Sequence, residues 1–254
     1  MTIINNKLSS ALIAAICLAS LGIFLIEPIA QAPSYHLFAD GRSILGVPNF
    51  WNVLSNLAFL LVGLLALKNL LIDNNLTIKP ELRVATFIFF IGISLVAFGS
   101  GYYHLWPSNQ TLLWDRLPMT IAFMALFSII IGEFISLKLA KTALLPLLLV
   151  GAFSVFYWSY TESQGQGDLR LYVLVQFLPI LLIPVILLLF KSPFSKASGY
   201  WWLFATYLAA KFLEYFDQAI FELLPLISGH SLKHLTAAFG VMLLLDAYQK
   251  RSLL

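Results

Sequence analysis

The chain is 254 residues long, 60% hydrophobic and only 11% charged, with a formal net charge of +3. A soluble domain carries charge on about a quarter of its residues, so this composition excludes a water-soluble globule. A nucleic-acid partner is not expected, because the basic residues are scattered among loops, and the single cysteine, Cys17, excludes an internal disulfide or a cysteine-built metal cluster.

What remains is an all-α polytopic membrane protein. Runs of about twenty apolar residues recur along the whole length, and each is enough to cross a bilayer as a helix. The first run, Leu8 to Ile26, follows a short polar start carrying Lys7. It reads as a membrane helix or a secretory signal segment, since Ala30-Gln31-Ala32 resembles a small-residue cleavage site. Its apolar stretch exceeds the usual signal core, which favours a retained helix. Cys17, preceded by Ile16, reads as a small apolar helix residue rather than a lipid attachment point.

A connecting segment, 27–49, contains Asp40, Gly41, Arg42 and Pro48. Seven spans are then predicted, at 50–70, 83–104, 112–135, 141–160, 170–190, 200–219 and 231–248. No short-period repeat and no long polar linker divides them. Residues 33–254 therefore read as one seven-helix domain behind an N-terminal segment of residues 1–32.

Loop lysines and arginines orient the spans, because cytoplasmic loops carry the excess of them. One side collects Lys7, Lys68, Lys79, Arg83, Lys138, Lys141, Lys191, Lys196, Lys250 and Arg251, ten of the fifteen; the other has only Arg42 and Arg170. Both termini are expected in the cytoplasm, with 27–49, 105–111, 161–169 and 220–230 outside. For a bacterial chain, that is an inner-membrane protein with its polar residues toward the periplasm. Trp51, Trp106, Trp114, Trp158, Trp201 and Trp202 fall near predicted helix ends, where interfacial tryptophans belong.

Ionisable groups at membrane depth are costly and mark function. Of the four histidines, His36, His104, His230 and His234, the last three fall at span ends on one side, together with Asp115 and Ser100. Ser100 and His104 are four apart, as are His230 and His234, so each pair shares a helix face. Two imidazoles at i and i+4 with a third from another helix make the three-ligand set of a catalytic zinc, with a position left for water. The bland alternative is a set of histidines hydrogen-bonded within a helix bundle. Asp115 is the carboxylate placed to move a proton of such a water, unless it caps a helix or pairs with Arg116. Ser100 is placed to hydrogen-bond a substrate carbonyl or oxyanion, unless it bonds its own helix. Lys211 and Glu214 read as an i, i+3 ion pair. Asp217 is placed to support a ligating histidine from behind, and Tyr102 and Tyr103 either line a pocket or pack.

Four stretches carry a resemblance: Asn49-Phe50-Trp51-Asn52-Val53-Leu54-Ser55-Asn56-Leu57, Gly99-Ser100 to His104, Leu113-Trp114-Asp115-Arg116-Leu117-Pro118-Met119, and His230-Ser231-Leu232-Lys233-His234. Over about residues 38 to 250 their order and spacing resemble the alkaline ceramidases, within a wider group of seven-helix membrane hydrolases that includes the adiponectin and progestin receptors. The resemblance implies an intramembrane zinc on His104, His230 and His234, Asp115 acting on its water, and Ser100 assisting at the carbonyl. It implies hydrolysis of the ceramide amide to a sphingoid base and a fatty acid, with a membrane lipid as substrate. The eukaryotic enzymes also carry a calcium site ahead of the first core helix. Here Asp40, beside Arg42, and Asn49 stand in that stretch, and they supply fewer oxygens than calcium takes. Other readings stay open: a zinc hydrolase of a different acylated lipid, a lipid-sensing receptor-like protein, or a transporter.

Overall fold

The computed structural model describes residue 14 and residues 16–254. The beginning of the first apolar run, from Leu8, and Lys7 lie outside the described residues. The rest of that run forms α1, Ile16–Leu25. The core follows as α2, Phe50–Leu54; α3, Leu57–Leu71; α4, Arg83–Leu105; α5, Asn109–Phe134; and α6, Leu137–Ser163. It is completed by α7, Arg170–Leu189; α8, Ser198–Tyr215; the short α9, Asp217–Leu223; and α10, Gly229–Lys250. No strand occurs among the described residues. The protein is an all-α polytopic membrane protein.

Five stretches are long and apolar enough to cross a membrane: Phe50–Leu71, Pro80–Leu105, Asn109–Phe134, Leu137–Ser163 and Arg170–Leu189. Helices α8 and α10, 18 and 22 residues long, lie where the last two spans were expected. They are less apolar because they carry Lys211, Glu214, His230, Lys233 and His234. The expected span at 200–219 stops at Tyr215, and α9 turns away as a separate helix. The expected span at 50–70 is broken at Ser55-Asn56, dividing α2 from α3. The Asn56 side chain donates to the carbonyl of Asn52 at 2.7 Å, so side-chain bonding competes with the helix ladder at the break.

Sequential helices pack as neighbours, α3 on α4, α4 on α5 and α5 on α6, while α10 packs on α8 and returns to α3. Helix α5 is buried almost all round from Ala122 to Phe134, as a central helix must be. Leu61, Leu149, Phe153, Leu181 and Leu188 point outward, an apolar surface that fits lipid. At the end far from the histidines, buried Glu133 accepts from Ser192 Oγ at 2.7 Å, Tyr200 Oη at 2.9 Å and Arg251 Nη1 at 2.9 Å. This clamp ties α5 to α8 and to the chain after α10.

Residues 26–49 form a strap across the opposite end. The amide of Leu169 donates to the carbonyl of Ile29 at 2.8 Å, and Arg170 Nη1 donates to that of Ile26 at 2.8 Å. Arg42 donates to the carbonyls of Pro225 and Leu226 at 3.0 and 2.9 Å. The amide of Ala39 donates to Asp217 Oδ2 at 3.0 Å. The strap therefore covers the end of the bundle where the polar residues gather.

Candidate metal centre

The turn between α4 and α5 is short, so the last two turns of α4 face the first two of α5. Ser108 caps α5 with a capping box completed by Thr111. Asp115 consequently lies inside the helix and is not its cap. Ser100, His104 and Asp115 are all buried, and Ser100 lies beside the Asp115 carboxylate. Asn49 Nδ2 donates to the carbonyl of His104 at 2.8 Å, occupying an acceptor that the end of α4 leaves free.

Helix α10 brings the other two histidines in its first two turns. Its first amides are satisfied twice: Ser228 Oγ accepts from the amide of Ser231 at 3.2 Å, and Asp217 Oδ1 accepts from the amide of His230 at 2.6 Å. Gly229 permits the close approach, since a Cβ there would meet the carbonyl oxygen of Leu213 at 2.2 Å. Asn52 Oδ1 accepts from Ser231 Oγ at 2.7 Å and ties α2 to the same turn.

His104, His230 and His234 converge, with one ring nitrogen from each lying within 4.8 Å of the others. His104 Nε2 and His230 Nε2 are 3.3 Å apart. Ligands at about 2.0–2.1 Å from a tetrahedral zinc lie about 3.3–3.4 Å from one another, so this separation fits a metal edge. Ser55 Oγ bonds His234 Nδ1 at 2.8 Å, which leaves Nε2 of that ring to face the other two. The buried Nδ1 of His104 has no partner among the described residues. The residues present fit a three-histidine metal site.

The other expected site residues are placed differently. Asp217 reaches the backbone of His230, not its ring, so it fixes that residue through the helix end. Tyr103 bonds His36 Nδ1 at 2.9 Å and touches no metal-facing nitrogen; His36 Nε2 in turn bonds Asn109 Oδ1 at 2.9 Å. The fourth histidine thus fastens the strap. Asp40 is held by Arg42, with Nε and Nη2 donating at 2.8 and 2.7 Å. Burial pushes the Asp40 carboxyl up, but those hydrogen bonds outweigh it and hold it below the ordinary range. A guanidinium lies where calcium would need oxygens, and Asn49 offers only one neutral amide oxygen, so the residues do not fit calcium. Trp158 is a further correction: it is fully buried against Arg116, with 4.2 Å from guanidinium carbon to ring centroid, instead of interfacial. The expected pair of Lys211 and Glu214 forms at 2.7 Å, and Lys233 joins the same carboxylate.

Two contacts had no sequence signal. Phe38, from the strap, roofs the centre with its ring 4.7 Å from both His104 and His230. Ser55 stands in one of the quoted stretches, but nothing in its spacing linked it to His234.

Beneath the histidines a cavity of about 510 Å³ runs into the bundle, bounded at its head by Ser100, His104, Asp115, His230 and His234. Its body is apolar, lined by Phe89, Ile93, Leu126, Ile130, Ile183 and Val241. Asp115 and Ile130 both line it from α5, about 22 Å apart at the helical rise of 1.5 Å per residue. The cavity is a long apolar slot with this polar cluster at its head.

A comparison with protein-family models matches residues 46–219 to the family described as Ceramidase. The chain belongs to the Ceramidase family. No curated protein and no solved structure matches it. The matched region of this ceramidase-family chain holds Ser100, His104 and Asp115 but stops short of His230 and His234. The convergence with His104 brings those two to the site, as their spacing led one to expect. Family membership supports hydrolysis of the ceramide amide by an integral membrane enzyme acting on a lipid.

Proposed function

We propose that the protein is a zinc-dependent intramembrane amidohydrolase that cleaves ceramide or a related N-acyl lipid to a sphingoid base and a fatty acid. The observation that carries this reading is the convergence of three buried histidines on the head of an apolar slot, beside a buried carboxylate. A zinc ion held by His104, His230 and His234 would polarise the amide carbonyl and lower the pKa of a water to about 7.

The chain's own residues do the rest. The slot holds the acyl chain and brings the amide carbon to the histidine end. Asp115 accepts a proton from the attacking water as its oxygen bonds to that carbon. Ser100 donates to the oxyanion that develops there. When the C–N bond breaks, Asp115 returns the proton to the leaving amine, so water is divided between the acid and the base. Phe38 and the strap exclude bulk water from above.

The charge asymmetry of the loops supports a site toward the non-cytoplasmic face, which in a bacterial inner membrane is the periplasmic side. Metal analysis of the purified protein, combined with mass spectrometry of products from ceramide, tests the reading. About one zinc per chain and release of free fatty acid are expected; metal-free protein with full turnover would sink it.

A further inference from the structure

Arg116, next to Asp115, lines the same cavity and is only 5% exposed. No acid lies within ion-pair distance of it among the described residues. Its Nη2 donates to Gln31 Oε1 of the strap at 2.6 Å, while its buried Nη1 has no partner among the described residues. Trp158 and Tyr172 lie 4.2 and 4.5 Å from the guanidinium carbon, and Tyr35 lies at 5.6 Å. With its faces against aromatic rings, the guanidinium can take a further acceptor only along its edge. A buried cation with an unmet donor is costly unless a ligand completes it.

The charges around the cavity point the same way. Arg116, Lys211 and Lys233 face two carboxylates, Asp115 and Glu214, and Glu214 is already shared by both lysines. The cavity therefore carries an excess positive charge before any metal is counted. An uncharged lipid leaves that excess unanswered.

We propose that Arg116 is the receptor for an anionic oxygen of the lipid handled at the neighbouring centre. The proposal rests on the hydrolase reading and narrows its substrate class. Such an oxygen has two sources: a phosphate or sulfonate on the head of the N-acyl lipid, or the carboxylate of the released fatty acid. Either fits the open edge of the guanidinium, whose donors match planar and tetrahedral oxyanions.

The test uses the full chain in neutral detergent, with hexadecyl phosphate, palmitate and hexadecanol as probes in a binding titration. At least one anionic probe is expected to bind about tenfold tighter than hexadecanol, the least that a charge-assisted hydrogen bond contributes. Arg116→Gln should erase that preference, and Arg116→Lys should keep part of it. Equal affinity of the wild type for all three probes overturns the proposal, whether or not the variants fold. So does a preference that survives unchanged in a folded variant. Turnover of N-acyl lipids with and without a head phosphate then separates the sources. A kcat/KM ratio favouring the phosphorylated lipid assigns the head group. An even ratio with palmitate inhibition that Arg116→Gln relieves assigns the product. The titration needs no turnover, so a protein that binds the anions but hydrolyses no lipid sinks the hydrolase reading alone.

Discussion

The carbonyl oxygen of Trp114 lies 2.0 Å from the point where a Cβ on Gly99 would stand. That oxygen has lost its helical partner because Pro118, four residues on, has no N–H to donate. Helix α4 fills the gap by presenting a residue without a side chain, and the approach brings Ser100 and His104 against Asp115. Small residues at such crossings let membrane helices close in. Gly99→Ala is expected to cost about 1–3 kcal/mol of stability as an overpacked site, and to lower hydrolysis by displacing α4. Gly101→Ala is the control, since nothing lies within 4 Å of its Cβ position. Thermal unfolding and turnover of the two variants check the contrast.

Ser55 acts through His234. Its hydroxyl, at 2.8 Å from Nδ1, fixes the ring so that Nε2 faces the other histidines. Ser55→Ala should weaken metal binding by about 10–100-fold, as loss of a ligand's hydrogen-bond partner does. Competition with a chelator of known affinity measures it.

Asp115→Asn should keep the metal and lose turnover by about 10²–10⁴-fold, the usual contribution of general acid–base catalysis. His230→Ala should lose both. Metal content and product release from the same preparations distinguish a proton-moving role from a ligand role.

The strap should loosen in acid. The Asp168 carboxyl is held below its ordinary value of 3.8, first by hydrogen bonds from the Arg170 side chain and against the upward push of burial. A carboxyl depressed in the folded state contributes stability that is present above its unfolded value and lost as pH falls through the folded one. The anchorage at Ile26 through Arg170 should therefore fade below about pH 4. Protease cleavage within residues 26–42 should rise between pH 6 and pH 3, and should be higher at pH 6 in Asp168→Asn than in wild type.

Glu133→Ala should destabilise the protein by about 3–5 kcal/mol, because it leaves the buried Arg251 guanidinium without its carboxylate. The thermal unfolding midpoint reads this directly, and Glu133→Gln should recover part through the hydroxyls of Tyr200 and Ser192.

Hydropathy and residue spacing made most of the architecture legible. The apolar runs located the core helices to within a few residues, and the four-residue spacings placed Ser100 with His104 and His230 with His234. Those signals are local, set by the helical repeat and by what a bilayer tolerates. The break at Ser55-Asn56 and the end of α8 at Tyr215 were not legible, since a pair of polar residues in an apolar run does not by itself say whether the helix continues through it.

By itself, the sequence determined a membrane-embedded helical bundle, its polar end, and which histidines were able to meet there. Only the tertiary structure decided what each polar side chain is for. Asp40 went to Arg42 instead of to calcium, His36 to the strap, Asp217 to a helix end, and Trp158 to the buried Arg116. Each choice depends on which donor lies within about 3 Å of which acceptor. Here that distance is fixed by contacts between the strap and residues as far along the chain as Arg42 is from Leu226, 184 positions, which no local pattern encodes.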